Sequence, residues 1–184
     1  MKLWPADVVY GVDGQHPGPY LTRYPLHPKT RWGQLCLHVF HRQDDDPDPH
    51  DHARDFWTMP LSSSYTEETF DPANGAFAFE NVQRWRWHFR RAEHCHRITS
   101  SWNRVDVSDM HGAPADMFRR VWPLVTLVWF FPRRREWGFW VTKDHPKAHW
   151  VSKAPGQKHV WTSGRGSPRG WLHWQAYCYP ERYE

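Results

Sequence analysis

The sequence has few of the features that mark secreted or membrane proteins. It contains only three cysteines, Cys36, Cys95 and Cys178, with no Cys-X-X-Cys spacing. An odd number at these spacings argues against a disulfide framework, and no leading stretch resembles a signal peptide, so we expect a cytoplasmic protein. The longest apolar run, residues 121–131, contains a proline and is shorter than the roughly 20 residues that span a bilayer. No membrane association is therefore expected.

The sequence also lacks any long segment with the 3.6-residue periodicity of an amphipathic helix. Residues that favour strands and break helices are abundant: aromatics make up 17% of the chain, with 14 tryptophans, and there are 16 prolines. A chain of 184 residues suits one domain with a proper core. The composition therefore predicts a single all-β domain.

The charge is mildly positive and excludes few partners. The formal net charge is +4 with neutral histidines, and the arginines are interleaved with strand-like residues instead of forming a tail. A small anionic ligand fits this pattern at least as well as nucleic acid, although the arginine and tryptophan content leaves nucleic-acid binding open.

Apolar runs and period-two alternation predict most of the strands. They fall at residues 35–42, 56–61, 65–70, 84–90, 92–99, 102–107, 124–131 and 136–142. The segments 56–61 and 65–70 are expected to form a hairpin that turns at Ser62-Ser63-Ser64. Within residues 84–90, aromatic side chains alternate with basic ones, which predicts one apolar face and one cationic face. We divide the chain into an irregular N-terminal arm (1–30, with a short strand at 20–24), a core (31–142), a loop insertion (143–169) and a closing segment (170–184).

Two histidine pairs suggest a metal site. His50 and His52 are two residues apart, and in extended backbone residues i and i+2 point to the same side. A second pair, His94 and His96, follows about one hairpin later. Imidazole is the commonest side-chain ligand of Zn, Fe, Ni and Cu. The alternative is that a chain with 14 histidines contains close pairs by chance.

The order of these motifs resembles the cupin superfamily. Cupins carry a first motif with a His-X-His pair, then a glutamate and a turn, and a second motif with a histidine that is often followed by arginine and an aliphatic residue. Residues 50–64 and 91–98 match these motifs in order and separation. A narrower likeness, to small uncharacterised cupin-domain proteins of bacteria and phages, rests on residues 20–24, 37–42, 50–52, 65–67, 96–98, 132–139 and 170–174.

The resemblance implies a cupin double-stranded β-helix, or jelly roll barrel, with a mononuclear metal site. It implies His50, His52 and His96 as ligands, His96 being preferred over His94 because Arg97 and Ile98 follow it. The glutamate position of the first motif is occupied by Phe56, with Asp55 beside it, and serines replace the turn glycine. A three-histidine centre is therefore expected, with His94, Asp55 and His38 as candidates for additional ligands or for side chains that support the ligands. Metal affinity is expected to fall as pH drops through the ordinary histidine range, near 6.5.

Further side chains are candidates for substrate binding. These are Arg42, Tyr65, Glu67, Arg84, Arg86 and Trp137. For His38 the alternative is a core histidine, for Glu67 a solvated carboxylate, and for Arg84 and Arg86 an ordinary exposed face.

The functional hypothesis is an Fe(II)-type, dioxygenase-like enzyme that acts on a small polar or anionic substrate. Zn, Mn or Ni with isomerase or hydrolase chemistry stays open. The alternatives are a non-catalytic cupin that binds or sequesters a small ligand, and a nucleic-acid-binding protein that uses its arginine and tryptophan surface. A homodimer is also an open expectation.

Overall fold

The fold is built almost wholly from antiparallel strands. The structure, a computed structural model, describes residues 5–10, 18–44, 46–106, 116–151 and 168–178. The strands are β1 (Asp7–Tyr10), β2 (Pro19–Pro25), β3 (Gln34–Phe40), β4 (Phe56–Pro60), β5 (Ser64–Asp71), β6 (Ala76–Val82), β7 (His88–Arg90), β8 (Cys95–Asp106), β9 (Asp116–Arg120), β10 (Leu124–Phe130), β11 (Gly138–Thr142) and β12 (Arg169–His173). One short helix, α1 (Trp174–Cys178), follows β12. The prediction of an all-β fold is confirmed.

A six-stranded sheet forms one side of the molecule, in the order β1-β2-β3-β10-β4-β7. Its central strand, β10, pairs with β3 and β4, so that Leu127 lies opposite Leu37 on one side and Met59 on the other. No residue of β10 is fully exposed. The nearly continuous apolar run at 124–131 therefore predicted a central strand correctly, because a strand in this position is covered on both faces.

A four-stranded sheet, β6-β5-β8-β9, and a two-stranded sheet, β11-β12, make up the rest. His50 joins these two sheets because it forms isolated bridges to His96 of β8 and Phe139 of β11. The first predicted ligand is thus fixed by backbone pairing on both sides.

The core is divided between two clusters. Tyr65, Val82, Ile98 and Leu124 are packed together beneath the sheets. A second cluster covers β11 and β12 with α1 and consists of Phe139, Val141, Val151, Leu172, Ala176 and Tyr177. Among the described residues, no helix is long and apolar enough to cross a membrane.

The predicted hairpin of residues 56–61 and 65–70 is wrong. Both segments are strands, but β4 pairs with β10 and β7, whereas β5 pairs with β6 and β8. The serine segment carries the chain from one sheet to the other, and Ser63 Oγ lies 2.5 Å from Ser101 Oγ of β8. Period-two patterns give the strands but not their partners, so this crossing was not predictable from the local sequence.

The prediction of a strand over residues 84–90 is correct only for its last three residues. Trp85 lies in a turn and has a positive φ of 62°. Its backbone N–H donates a hydrogen bond to Pro60 O. The aromatic side chains expected to be buried are exposed instead, at 60% for Trp85, 47% for Trp87 and 41% for Phe89. A turn at Trp85 breaks the alternation on which the prediction rests.

Three other predicted segments differ in detail. The N-terminal arm is not irregular in its described part, since it supplies β1 and β2 to the large sheet. The described strand residues of segments 92–99 and 102–107 belong to one long strand, β8. Segment 136–142 contains β11, whose partner is β12. The expected loop insertion is described only at residues 143–151 and 168–169.

Candidate metal centre

Three histidine side chains converge at one point between the sheets. His52 Nε2 lies 3.0 Å from His96 Nε2. The His50 ring centroid is 5.2 Å from that of His52 and 5.4 Å from that of His96. One ring nitrogen of each histidine lies within 4.8 Å of the other two. The structure therefore brings together the three residues predicted as ligands.

Backbone pairing explains why His50 and His96 meet. His50 N donates to His96 O at 3.1 Å, and His96 N donates to His50 O at 3.0 Å, so the two residues are direct neighbours across a bridge. His52 N donates to Ala92 O at 2.8 Å, which holds the second histidine beside the start of β8. His50 and His52 lie just before β4 and not in a regular strand, but the segment is extended enough for both rings to reach the same side.

Asp51 anchors this segment from the opposite side. Its side chain is buried and accepts hydrogen bonds from Gly138 N (2.8 Å) and Trp171 Nε1 (2.9 Å). Arg135 Nη2 lies 3.0 Å from Asp51 Oδ2. Burial raises the pKa of Asp51 to about 6, although Arg135 and these hydrogen bonds act in the opposite direction. Because Asp51 stands between the two histidines, its contacts fix the direction in which both imidazoles point.

We expect Asp51→Ala to lower the free energy of unfolding by about 3 kcal/mol, because it leaves a buried N–H and a partly buried guanidinium without their acceptor. Urea denaturation would measure the change. Asp144→Ala is the control, since Asp144 is exposed, and it should change stability by less than about 0.5 kcal/mol. Equal effects of the two substitutions would contradict the anchoring role.

Glu67 orients the third histidine. Its side chain is completely buried, and Oε2 lies 2.5 Å from His96 Nδ1. Oε1 accepts from Arg90 Nη2 at 2.5 Å and lies 3.1 Å from His94 Nε2. Burial acts to raise the pKa of Glu67, but His96, His94 and Arg90 together hold it well below the usual range. An ionised Glu67 accepts a hydrogen bond from His96 Nδ1–H, so the lone pair of His96 Nε2 faces His52.

His94 lies on the far side of Glu67 from His50 and His52. The atoms of Glu67, His94 and His96 also lie within 4.8 Å of one another. However, Arg90 already occupies Glu67 Oε1, and a guanidinium at 2.5 Å disfavours a second cation at this carboxylate. We therefore assign the metal-binding group to His50, His52 and His96, and a supporting position to His94.

The protein environment favours the neutral form of His50 and His52. It lowers the pKa of His50 to about 4, with the neighbouring Asp44 acting in the opposite direction. Burial also lowers the pKa of His52 well below the usual value, and the positive charges that His96 and His50 would carry add to the effect. Neutral imidazoles are the form that binds metal ions.

A cavity of about 580 Å³ opens beside the three histidines. Three predicted residues outside the histidine triad line it: His38, Tyr65 and Trp137. His38 and Tyr65 are buried, and the Trp137 ring lies 6.1 Å from that of His50. Much of the remaining wall is apolar, with Leu21, Phe40, Phe56, Ile98, Val128 and Phe130 among the lining residues. The cavity is large enough for a small molecule in contact with the histidines.

Two solved structures illustrate the limited likeness between this chain and known proteins. A cupin-2 domain protein from Rhodospirillum rubrum has 16% identity and a TM-score of 0.43, with 74% of this chain and 77% of that chain covered. Hydroxypropylphosphonic acid epoxidase from S. wedmorenis has 13% identity and a TM-score of 0.41, with 68% of this chain and 55% of that chain covered. The sequence matches no protein-family model and no curated protein.

Asp55 does not take the role that the resemblance assigned to the first-motif glutamate. Asp55 Oδ1 accepts from Ala92 N at 2.7 Å and from Arg134 Nη2 at 2.7 Å. Its carboxylate therefore serves a surface ion pair, and the structure does not bring it to the three histidines. Phe56, at the glutamate position itself, packs its ring 4.7 Å from that of His52. The histidine site is thus bordered by an aromatic ring at this point.

Several predicted substrate residues lie away from the cavity. Arg84 and Arg86 are exposed, and Arg84 Nε donates to Leu61 O at 2.9 Å. Arg42 lies behind the cavity wall, with its guanidinium carbon 5.8 Å from the centroid of the Tyr20 ring. Glu67 is excluded from the wall because His94, His96 and Arg90 surround its carboxylate.

Other residues at the cavity were missed at the sequence level. Asp44 is buried, with Oδ2 3.9 Å from His50 Nδ1, and Tyr20 is hydrogen-bonded to it. Arg23 and Arg54 also line the wall. Arg54 carried a usable signal, because it lies two residues after His52, but Arg23 comes from β2 and its position depends on sheet pairing.

Proposed function

We propose that the chain binds one divalent transition metal ion through His50, His52 and His96, and that it acts as an oxygenase on a small anionic molecule in the adjoining cavity. The observation that carries the proposal is the convergence of three imidazoles, that of His96 buried and those of His50 and His52 half-buried, with His52 Nε2 and His96 Nε2 3.0 Å apart. Two nitrogens that each lie about 2.1 Å from one ion, at right angles, are separated by about 3 Å. The donor set therefore fits a metal ion.

The donor chemistry favours Fe(II) among several candidates. Neutral imidazole suits Fe, Zn, Ni and Cu, and three protein ligands leave coordination positions open. When bound, Fe(II) would supply those positions and the electrons for oxygen chemistry. With Zn, Mn or Ni the same site would favour hydrolase or isomerase chemistry, and metal analysis of untagged protein decides between them.

The residues of the chain would orient the ligands and exclude water. Glu67 holds His96 Nδ1–H, and Asp51 holds the segment that carries His50 and His52. Phe56 and Phe130 form part of the apolar wall beside the histidines. A wall of this kind limits the access of water to the reacting groups, and the fixed rings position a substrate against them.

The proposal predicts that His52→Ala and, separately, His96→Ala lose most of the bound metal while the fold survives. Each substitution removes one of three donors, and the remaining two hold the ion much less tightly. Metal stoichiometry of the purified variants is the measurement. His41→Ala is the matched control, because His41 is exposed and contacts Thr22, away from the centre. Full occupancy in both centre variants would refute the assignment.

Two other functions remain as alternatives. A non-catalytic cupin would bind the same metal and a small ligand without turnover, so consumption of dioxygen by the Fe(II)-loaded protein favours the enzyme. Nucleic-acid binding is suggested by the exposed Trp85 and Trp87 beside Arg84 and Arg86. An affinity for single-stranded DNA that falls steeply with salt, and that Trp87→Ala abolishes, would support it.

A further inference from the structure

Two arginines share one aromatic ring on the cavity wall. The guanidinium carbon of Arg23, in β2, lies 5.5 Å from the centroid of the Phe130 ring. The guanidinium carbon of Arg54, which precedes β4, lies 5.7 Å from the same centroid. Both arginines and Phe130 line the cavity that contains the three histidines. Two positive charges therefore lie close together in a partly apolar setting.

No carboxylate neutralises these charges directly. Within the ranges that the structure describes, neither Arg23 nor Arg54 forms an ion pair. Arg23 Nε instead donates to His38 Nε2 at 3.1 Å. His38 is buried, and its burial, together with the charge of Arg23, lowers its pKa well below the usual value. His38 is therefore a neutral hydrogen-bond acceptor that positions Arg23. It leaves the positive charge of Arg23 uncompensated.

Two other charged residues, Asp7 and Arg133, line the cavity near the two arginines. Asp7 faces Arg23 across the β1–β2 pairing and also lines the cavity, but it is exposed. Arg133, a third arginine of the wall, is already paired with Glu136. The balance at this end of the cavity stays positive, and Asp7 is the acid that would compete with an incoming anion.

We propose that Arg23 and Arg54 form an oxyanion subsite that holds the carboxylate or phosphoryl end of a small organic ligand. Guanidinium groups present forked donors that match the oxygens of such anions, and this half-buried pair offers two forks. Phe130 keeps both guanidinium groups against the wall. The role of this anion as part of the substrate rests on the proposed function, but the binding of the anion itself requires no metal.

The test uses inorganic phosphate as the probe, compared with chloride at equal ionic strength. Phosphate is expected to raise the melting temperature of the full-length protein by mass action on the folded state. Arg23→Gln and Arg54→Gln should each weaken the apparent phosphate affinity by about tenfold or more. Asp7→Asn should strengthen it, because it removes the competing charge from an exposed position. The double variant Arg84→Gln/Arg86→Gln, altered only on the exposed turn, should behave as the unaltered protein.

Two outcomes would overturn the subsite. One is an absence of any phosphate effect in both the unaltered protein and Asp7→Asn, which does not depend on the folding of the arginine variants. The other is a phosphate effect that persists in a folded Arg23→Gln/Arg54→Gln protein. His52→Ala separates the two proposals, since it should lose metal and keep the phosphate effect. If the unaltered protein binds phosphate but no metal, the result would count against the proposed function alone.

Discussion

Glu67→Gln is expected to weaken metal binding by roughly 10- to 100-fold, although it changes no ligand. The amide preserves the shape of the side chain but removes the negative charge of the group that accepts a hydrogen bond from His96 Nδ1–H. The lone pair of His96 Nε2 then becomes a weaker donor, and the ring is less firmly oriented. A competition titration with a chromophoric chelator measures the affinity. Glu67→Ala should in addition destabilise the fold by about 3 kcal/mol, because buried Arg90 loses one of its two carboxylates.

Glu68→Gln is the matched control for this prediction. Glu68 is the next residue of β5, and its carboxylate pairs with Arg97 at 2.5 Å instead of a histidine. We expect the metal affinity of Glu68→Gln to stay within about twofold of the unaltered protein, since a partly exposed ion pair contributes little. Equal losses in Glu67→Gln and Glu68→Gln would mean that general charge, and not the contact with His96, determines the affinity.

Metal binding is expected to persist in mildly acidic solution. Burial lowers the pKa of His50 to about 4, and that of His52 well below its usual value, so both remain neutral when exposed histidines are protonated. As far as His50 and His52 determine it, affinity should therefore change little between about pH 7.5 and 5.5, instead of falling near the ordinary histidine pKa of about 6.5. A chelator competition at several pH values measures it, and a tenfold loss between about pH 7.5 and 6 would contradict the burial of the ligands.

The stability of the metal-free protein, unlike metal binding, should depend on pH in mildly acidic solution. Between about pH 6.5 and 4 the unfolded chain binds protons that folded His50 cannot, so the free energy of unfolding falls as pH drops. At about pH 5 this histidine alone accounts for a loss of about 2 kcal/mol. His38, His52 and His94 act in the same direction, whereas the raised pKa of Asp51 opposes them. Urea denaturation should show decreasing stability, and a constant value over this range would contradict the pKa shifts.

The sequence predicted that the three histidines come together, and part of the reason is that the geometry of the first pair is local. A two-residue spacing in extended backbone places His50 and His52 on one side wherever the segment lies, and the order of the motifs pointed to His96 as the third residue. The pH position of the response could not be predicted from the sequence, because a pKa depends on how deeply a ring is buried, and spacing along the chain does not give burial.

The contacts around the ligands could not be derived from local patterns. Tyr65 and Glu67 were expected to bind substrate, and both are buried, but the meeting of Glu67 with His96 depends on the pairing of β5 with β8. Arg84 was chosen from a clean alternation that the turn at Trp85 interrupts. Arg23 was missed because it reaches the cavity only through the pairing of β2 with β3. Strand partners are long-range choices, and the local pattern leaves them open.

X-ray absorption spectroscopy at the edge of the bound metal tests the central claim most directly. The protein should be loaded with Fe(II) or Zn(II) at one ion per chain, without a histidine tag. We predict three imidazole nitrogens at about 2.0–2.2 Å and no sulfur ligand. His52→Ala and His96→Ala, forced to bind at high metal concentration, should each lose one imidazole from the spectrum, while His41→Ala keeps all three. A spectrum with fewer than two imidazoles, or one that neither centre variant changes, would contradict a metal centre at His50, His52 and His96.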